Sequence, residues 1–424
     1  MDDQRKAGLT WKVSVTALLM LTSVISEAQI TSSGYATVEV SEYVVEYPDT
    51  TLRDNIYTFC NQHGNLTASL SDIPGDLTFE WSIYDQAASS YQSFAGPEEG
   101  QSSSVTGLES GGYRVRISNE DGLDTLFRAW VFVNRPLAAI DEERSRSLNL
   151  CTYLWLFGIA DIDIFEYHHP LSGELFTLPV DYNINWTADD PSAIVGNILE
   201  PRVIPPPYIT TEYTFKIDYY LCQASSSPLV IDPVATRPEF TIDIPDGEGP
   251  LQGEAPLEVI FDAGESLNAS EYQWFFYYHP DTTNFESPDD FGISPMHTYY
   301  KPRDYYVMLR TFSADLCWDD AFSPEPVRVV PSRLEIANVF TPDGDGINDV
   351  FRVESASLRK FHGVIYNRNG RRVFEWTDPK RGWDGKIDGN NDASPGVYFY
   401  IITGVGWDDE PYKYTGPLHL FRDK

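Results

Sequence analysis

The sequence predicts an all-β chain, a row of antiparallel β-sandwiches ended by a smaller C-terminal one. Three observations carry this. Pro and Gly each occur 29 times and aromatics make up 14%, while long helical periodicity is hard to find. A Trp followed about thirty residues later by a Tyr-x-apolar-x-apolar strand recurs three times, at a period of about one hundred residues. The last ninety residues alternate apolar strands with Gly-Asp and Asn-Gly turns.

Taken in order, residues 1–28 read as a secretory signal peptide. Arg5, Lys6 and Lys12 precede the apolar run Val13 to Ile25, too short to span a bilayer stably, and Ser26-Glu27-Ala28 offers small residues for cleavage before Gln29. No later stretch reads as a transmembrane span. Export through the Sec pathway is therefore expected. Strand signals follow at Thr37 to Val45, Leu77 to Tyr84, Phe127 to Val133, Leu257 to Phe261 and Tyr306 to Thr311. Linkers holding a Pro that cannot join a central strand lie at Asn134-Arg-Pro136, Asp232 to Pro238 and Val330 to Arg333. They divide the chain into 29–135, 136–235, 236–333 and 334–424.

The repeat pairs Trp81 with Tyr113, Trp186 with Tyr213 and Trp274 with Tyr305, at gaps of 32, 27 and 31 residues. In a sandwich such a Trp fills the space between sheets, and the Tyr packs beside it with its hydroxyl bonded to nearby backbone. Residues 29–135 and 136–235 are thus generically immunoglobulin-like. The third unit, with Ala255 to Asp262, Tyr272-Gln-Trp274, His297-Thr-Tyr299 and Asp304 to Leu309, is similar to PKD-type domains. It departs from them after Trp274, where the family's Asp-Phe-Gly-Asp-Gly is replaced by Phe275-Phe-Tyr-Tyr-His-Pro280 and a polar insertion to Ser294.

Charge and cysteines narrow the partners. Residues 29–334 hold 15 Lys+Arg against 47 Asp+Glu, a net of −32, whereas 335–424 hold 12 against 14. Such acidity keeps an exported protein solvated, repels nucleic acid and attracts divalent cations. Of the four cysteines, Cys151 and Cys222 share one unit and are expected to pair, leaving Cys60 and Cys317 as small buried groups.

Reaction chemistry is hard to find. There is no Gly-x-Ser-x-Gly elbow, His-Glu-x-x-His pair or phosphate-cradling glycine loop, and His168 and His169 would face opposite sides of a strand. No catalytic residue is assigned, and the chain is expected not to be an enzyme. Asp343-Gly-Asp-Gly-Ile-Asn-Asp349 offers hard oxygens at Asp343, Asp345 and Asp349 for Ca²⁺, or else an Asx-rich turn bonded to its own backbone. No other cofactor is expected. Trp155, Tyr219, Tyr220, Tyr277, Tyr278, Tyr299 and Tyr300 are candidates for stacking against a surface glycan, with Tyr277-Tyr278 least like core.

The terminal segment closely resembles the gliding-motility-associated C-terminal domain, the type B sorting domain of the type IX secretion system. The match runs through Asn338, Phe340, Thr341, Pro342, Gly344, Asp345, Gly346, Asn348, Asp349 and Phe351, then Tyr366, Asn367, Arg368 and Gly370. It continues at Trp383, Asp384, Gly385, Gly396, Tyr398 and Tyr400, with the apolar positions Ile365, Val373, Phe374 and Val397 also matching. Asp343 stands where the family favours Asn, and Asn369 where it favours an aromatic. The resemblance implies a Bacteroidetes source, recognition by the type IX machinery, and delivery to the cell surface or medium. For the preceding modules it leaves adhesion or ligand binding (glycan or protein) or a spacer role. A polysaccharide-processing enzyme or accessory subunit, or a part of the gliding or export apparatus, stands as the alternative.

Overall fold

Apolar residues alternate with polar ones along nearly every strand, so each sheet has one face to bury, and pairs of sheets do so against each other. The computed structural model describes residues 29–43, 53–71, 73, 75–193, 195–245, 250–278, 288–387 and 391–422. The expected signal peptide, and Val44-Val45 of the first strand signal, lie outside them. The protein is all-β. The one α-helix among the described residues is Glu142–Ser147, capped by the Asp141 carboxylate, which accepts from Arg144 N at 3.1 Å. No described helix is long and apolar enough to cross a membrane.

Contacts gather the chain into two compact units. In the first, a six-stranded sheet runs in the order Thr37–Val40, Asn55–Cys60, Asp124–Asn134, Gly111–Ser118, Leu77–Asp85, Ser90–Gly100. It packs on a three-stranded sheet of Gln29–Thr31, Gly64–Ser69 and Ser102–Leu108, around Trp81, Phe79, Leu66 and Val115. Residues 159–185 and 215–226, assigned from sequence to the next module, belong to this unit. They cover the other face of the large sheet, where Phe165, Tyr167 and Tyr219 pack on Ile56, Trp130 and Phe132. A polar chain is enclosed there: Trp130 Nε1 donates to Tyr43 Oη at 2.9 Å, and Tyr43 donates to Asp54 at 2.8 Å. Arg128 meets the same carboxylate at 3.1 Å. Burial, reinforced by Asp54, holds the Tyr43 hydroxyl well above the ordinary tyrosine range.

The second unit takes 140–158, 186–214 and 227–424. Its first sandwich, called PKD-like after the sequence resemblance, sets Thr241–Asp243, Leu257–Asp262 and Met296–Tyr299 against a five-stranded sheet centred on Asp304–Phe312. The C-terminal sandwich sets Arg333–Ile336, Phe351–Ala356 and Gly382–Trp383 against a second five-stranded sheet. That sheet runs Val339–Phe340, Pro411–Leu420, Gly396–Gly406, Leu358–Tyr366, Arg372–Trp376. Three sandwiches share one closure, an early strand lying parallel to the last. Asn55–Cys60 joins Asp124–Asn134, Gln252–Gly253 joins Val327–Val329, and Val339–Phe340 joins Pro411–Leu420.

The Trp–Tyr repeat is realised with one exception. Trp81, Trp186 and Trp274 are buried. Tyr113 donates to Glu109 O and Tyr305 to Lys301 O, each four residues back and at 2.9 Å. Tyr213 is buried, but its hydroxyl makes no backbone hydrogen bond among the described residues, which corrects the expectation for the second repeat. A fourth instance was missed: Tyr398 donates to Ser394 O at 2.9 Å, and its ring lies 4.9 Å from that of Trp383.

The disulfide expectation is also corrected. Cys222 pairs with Cys60 and Cys151 with Cys317, and no cysteine is free. Pairing was expected inside one module. However, the hairpin carrying Cys222, turned by Tyr220 and Leu221 at positive φ, packs beside the strand that ends at Cys60. Cys151 belongs instead to the unit that holds Cys317. Each bridge closes a loop of more than 160 residues, a constraint on the unfolded chain of roughly 5 kcal/mol in the loop-entropy model.

The junction between the PKD-like and C-terminal sandwiches, expected as a linker at Val330 to Arg333, is bonded throughout. Ser357 Oγ accepts from Ala255 N at 3.0 Å and donates to Val330 O at 2.7 Å. Ser332 N and Oγ both donate to Asp408. Asp409 takes Lys301 and Arg359 at 2.9 Å each, and the Trp407 ring packs against Tyr300 and the PKD-like core.

Two outcomes are expected. Peptide mapping under non-reducing conditions should recover Cys60–Cys222 and Cys151–Cys317 and no Cys151–Cys222 peptide. In calorimetry, Trp407→Ala should split one unfolding transition of these two sandwiches into two, separated by roughly 4–8 °C for each kcal/mol of coupling lost. A single unshifted transition would show that the junction carries no coupling.

Candidate functional site

The C-terminal sandwich holds the densest set of sequence-flagged residues, and the structure sorts them by what they do. Phe340, Phe351 and Trp383 are buried and meet at ring-centroid distances of 5.3–6.1 Å. The Trp383 indole donates to Lys386 O at 2.8 Å. Tyr400 lies over Phe351 at 6.1 Å. The remaining signature residues build turns. Asn367 Oδ1 accepts from Asn369 N and Arg371 N, and Gly370 sits at φ +77°. Asp384 Oδ1 accepts from Lys386 N. Gly385, at φ +75°, could not carry a Cβ, because one would lie 2.8 Å from Pro342 Cγ. Arg422 Nε donates to Pro342 O at 2.9 Å and ties the chain end to the first turn. Asn338 O accepts from His419 N at 2.8 Å.

The Asp343–Asp349 loop winds around its last carboxylate. Asp349 accepts from Gly344 N at 2.7 Å and from Gly346 N at 2.8 Å, and these bonds hold its carboxyl below the ordinary range. Asp345 accepts from Ile347 N, Asp343 from Asp345 N, and Thr341 N donates to Asn348 O. Gly344 and Gly346, at φ +88° and +89°, supply the left-handed positions. One oxygen from each of the three aspartates lies within 4.8 Å of the others, close enough to share a cation. The loop also closes through its own N–H groups. Beside it a cleft of about 530 Å³ opens between residues 335–340 and 346–354.

The aromatic candidates separate cleanly. Tyr219 and Tyr299 are core residues, which removes them as stacking groups. Tyr220 donates to Pro179 O, Tyr277 stacks on Tyr306, and Trp155 lies under Arg202. Tyr278 and Tyr300 are the exposed ones, the first with Arg303 over its ring and the second against Trp407.

A place not flagged from sequence lies in the first unit. A cleft of about 360 Å³ is lined by Tyr84, Trp130, Phe165 and His168, with Asp163, Glu166 and Arg135 among its polar groups. Tyr84 and Trp130 lie 5.0 and 6.2 Å from the His168 ring, whose Nδ1 is buried without a hydrogen-bond partner among the described residues. His169, by contrast, accepts from Leu171 N and Ser172 N and has a structural role. The cleft unites residues 84, 130 and 168, which only the added 159–185 segment brings together, so periodicity could not reveal it.

The terminal module is thus a two-sheet sandwich whose signature residues are nearly all core or turn. Residues 334–420 match the family model of the CHU_C type IX secretion signal domain, so this segment is a type IX secretion signal. The chain is therefore a protein exported to the cell surface or extracellular space, and its terminal module is handled by the type IX secretion machinery. No curated protein matches the chain. Among solved structures, the tetra-tandem repeat from the extending region of a large adhesion protein is similar at 11% identity, with 85% of this chain and 96% of that one covered and a TM-score of 0.24. A Ca²⁺-stabilised, ice-binding adhesin of an Antarctic bacterium gives 13%, 85% and 94%, and 0.23. Three N-terminal domains of the bacteriophage RB49 highly immunogenic outer capsid protein give 9%, 94% and 100%, and 0.24. At that level of agreement none of them informs the role of this chain.

The Asp349 geometry has a pH consequence. Its depressed folded-state value means stability that is present above the unfolded carboxylate range and lost as pH falls through the folded one. Asp349→Asn should remove that acid-side dependence, read as a flatter profile of melting temperature below about pH 4. Retention of the wild-type profile would show that the loop bonds do not hold the carboxylate charged.

Proposed function

We propose that this is a non-enzymatic surface or secreted protein in which the type IX signal delivers a ligand-binding β-sandwich array. The single observation that supports binding, rather than a bare spacer, is the aromatic cleft of the first unit. Tyr84, Trp130 and His168 offer ring surface beside Glu166, Asp163 and Arg135, the mixture of apolar faces and few polar groups that a sugar ring or an aromatic-bearing loop requires. The non-enzymatic reading is supported by what perturbs the ionisable groups. Raised tyrosines such as Tyr113 and Tyr91, pushed up to about 12, owe this first to burial. Lowered carboxylates such as Asp124 and Asp304 owe it to an arginine partner. Each shift has a structural cause. The Asp343–Asp349 loop is read as a turn satisfied by its own backbone, with Ca²⁺ dispensable. Delivery through the Sec pathway before the type IX step completes the reading.

The test is a glycan array probed with the mature protein, with and without Ca²⁺, followed by Tyr84→Ala. Binding that falls at least tenfold in Tyr84→Ala at an unchanged melting temperature, and that is indifferent to Ca²⁺, is the expected result. Binding untouched by Tyr84→Ala would remove the cleft from the account. A turnover product released from an array glycan would replace the binder with an enzyme.

A further inference from the structure

The strand Gly396–Gly406 reads Val-Tyr-Phe-Tyr-Ile-Ile from residue 397 to 402, an apolar run without alternation. Such a run belongs to a strand covered on both faces. In the C-terminal sandwich only one face is covered. Tyr398 and Ile402 point into the core, whereas Val397, Phe399 and Ile401 point outward and are 41%, 47% and 41% exposed.

The register extends this outward patch across the sheet. Phe399 lies opposite Pro417 on one side and Tyr366 on the other, while Val364, opposite Ile401, is buried. Val339, also exposed, borders Val397 across His419. This is a central strand of a five-stranded sheet, so the patch is not an edge effect.

Charge identifies what would cover it. The charged residues at outward register positions are Lys360, Arg372, Glu375 and Lys413. Glu375, the one carboxylate among them, is already engaged by Arg372 and His362. The patch therefore has a cationic rim on a chain whose formal net charge is −34. That excess of acid would hold the chain away from an anionic bilayer, which favours a protein surface as occupant. Most signature residues of the module are internal or locked in turns, whereas Tyr366 and Val397 lie on this face.

We infer that this outward face, centred on Val397, Phe399 and Ile401 and rimmed by Lys360 and Lys413, is where a protein of the secretion machinery holds the module, through an apolar patch edged with carboxylates. The inference rests on the sorting role and adds the surface and the chemistry of its partner.

The test follows the full-length chain in the cell that makes it. Phe399→Ser/Ile401→Ser and Lys360→Glu/Lys413→Glu should each lower surface and extracellular protein at least tenfold, with periplasmic accumulation. The purified variants should melt within a few degrees of wild type. Phe322→Ser, an outward apolar residue of the PKD-like sandwich, should export normally. Normal export of both double variants, or an equal loss in Phe322→Ser, would overturn the docking face while leaving sorting intact. Wild-type protein held in the periplasm would instead overturn sorting itself. Two purified-protein measurements complete the test. Co-sedimentation with phosphatidylglycerol/phosphatidylethanolamine vesicles, lost in Phe399→Ser/Ile401→Ser, would replace the protein partner with a membrane. A wild-type dimer converted to monomer by the same change would replace it with a second copy.

Discussion

Most of the buried indoles are hydrogen-bonded as well, and much of this protein is arranged to permit that. Trp81 donates to Ser103 Oγ, Trp186 to Ile198 O, Trp274 to Gly292 O and Trp383 to Lys386 O, all within 2.7–3.0 Å. A ring of that size separates two sheets and gives neighbouring side chains a fixed surface to pack on. Its N–H would be a costly orphan without a partner supplied by a loop or the facing sheet. The tyrosine hydroxyl that reaches four residues back is a companion device, pinning a loop beside the tryptophan in three of the four places.

These pins were legible because they are local. Tyr113 and Tyr305 stand in strands with clear alternation, and the hydroxyl's target is close in sequence. Turns that demand Gly at positive φ, such as Gly344, Gly346 and Gly385, were equally legible, since few other residues adopt that backbone. Legibility ended where distant segments meet. Cys222 lies near Cys151 in sequence but beside Cys60 in space, and no spacing rule distinguishes those partners. The aromatic cleft fails to announce itself for the same reason. The apolar run 397–402 is visible in the residues, but only the structure shows which face lacks cover.

The C-terminal module illustrates how a family signature can mislead about contact. A motif is retained in a small sandwich wherever the fold cannot form without it, so Phe340, Trp383, Gly385 and Asp349 report on the scaffold. Surface that a partner touches need only keep its chemical character, and it leaves a fainter trace. The bonded junction at Ser357, Ser332, Asp408 and Trp407 means that this scaffold is presented as part of a larger body rather than on a tether.

The interleaved bridges have a mechanical consequence. Between Cys60 and Cys317 the backbone contains 257 peptide steps, but a pull on the two ends passes through sulfur at Cys60–Cys222, back along 71 steps to Cys151, and across to Cys317. At about 3.4 Å per step the stretch that can pay out under load shrinks from roughly 870 Å to roughly 240 Å. A chain so stitched behaves under tension as a short strap, with most of its length held back even after its sheets have come apart.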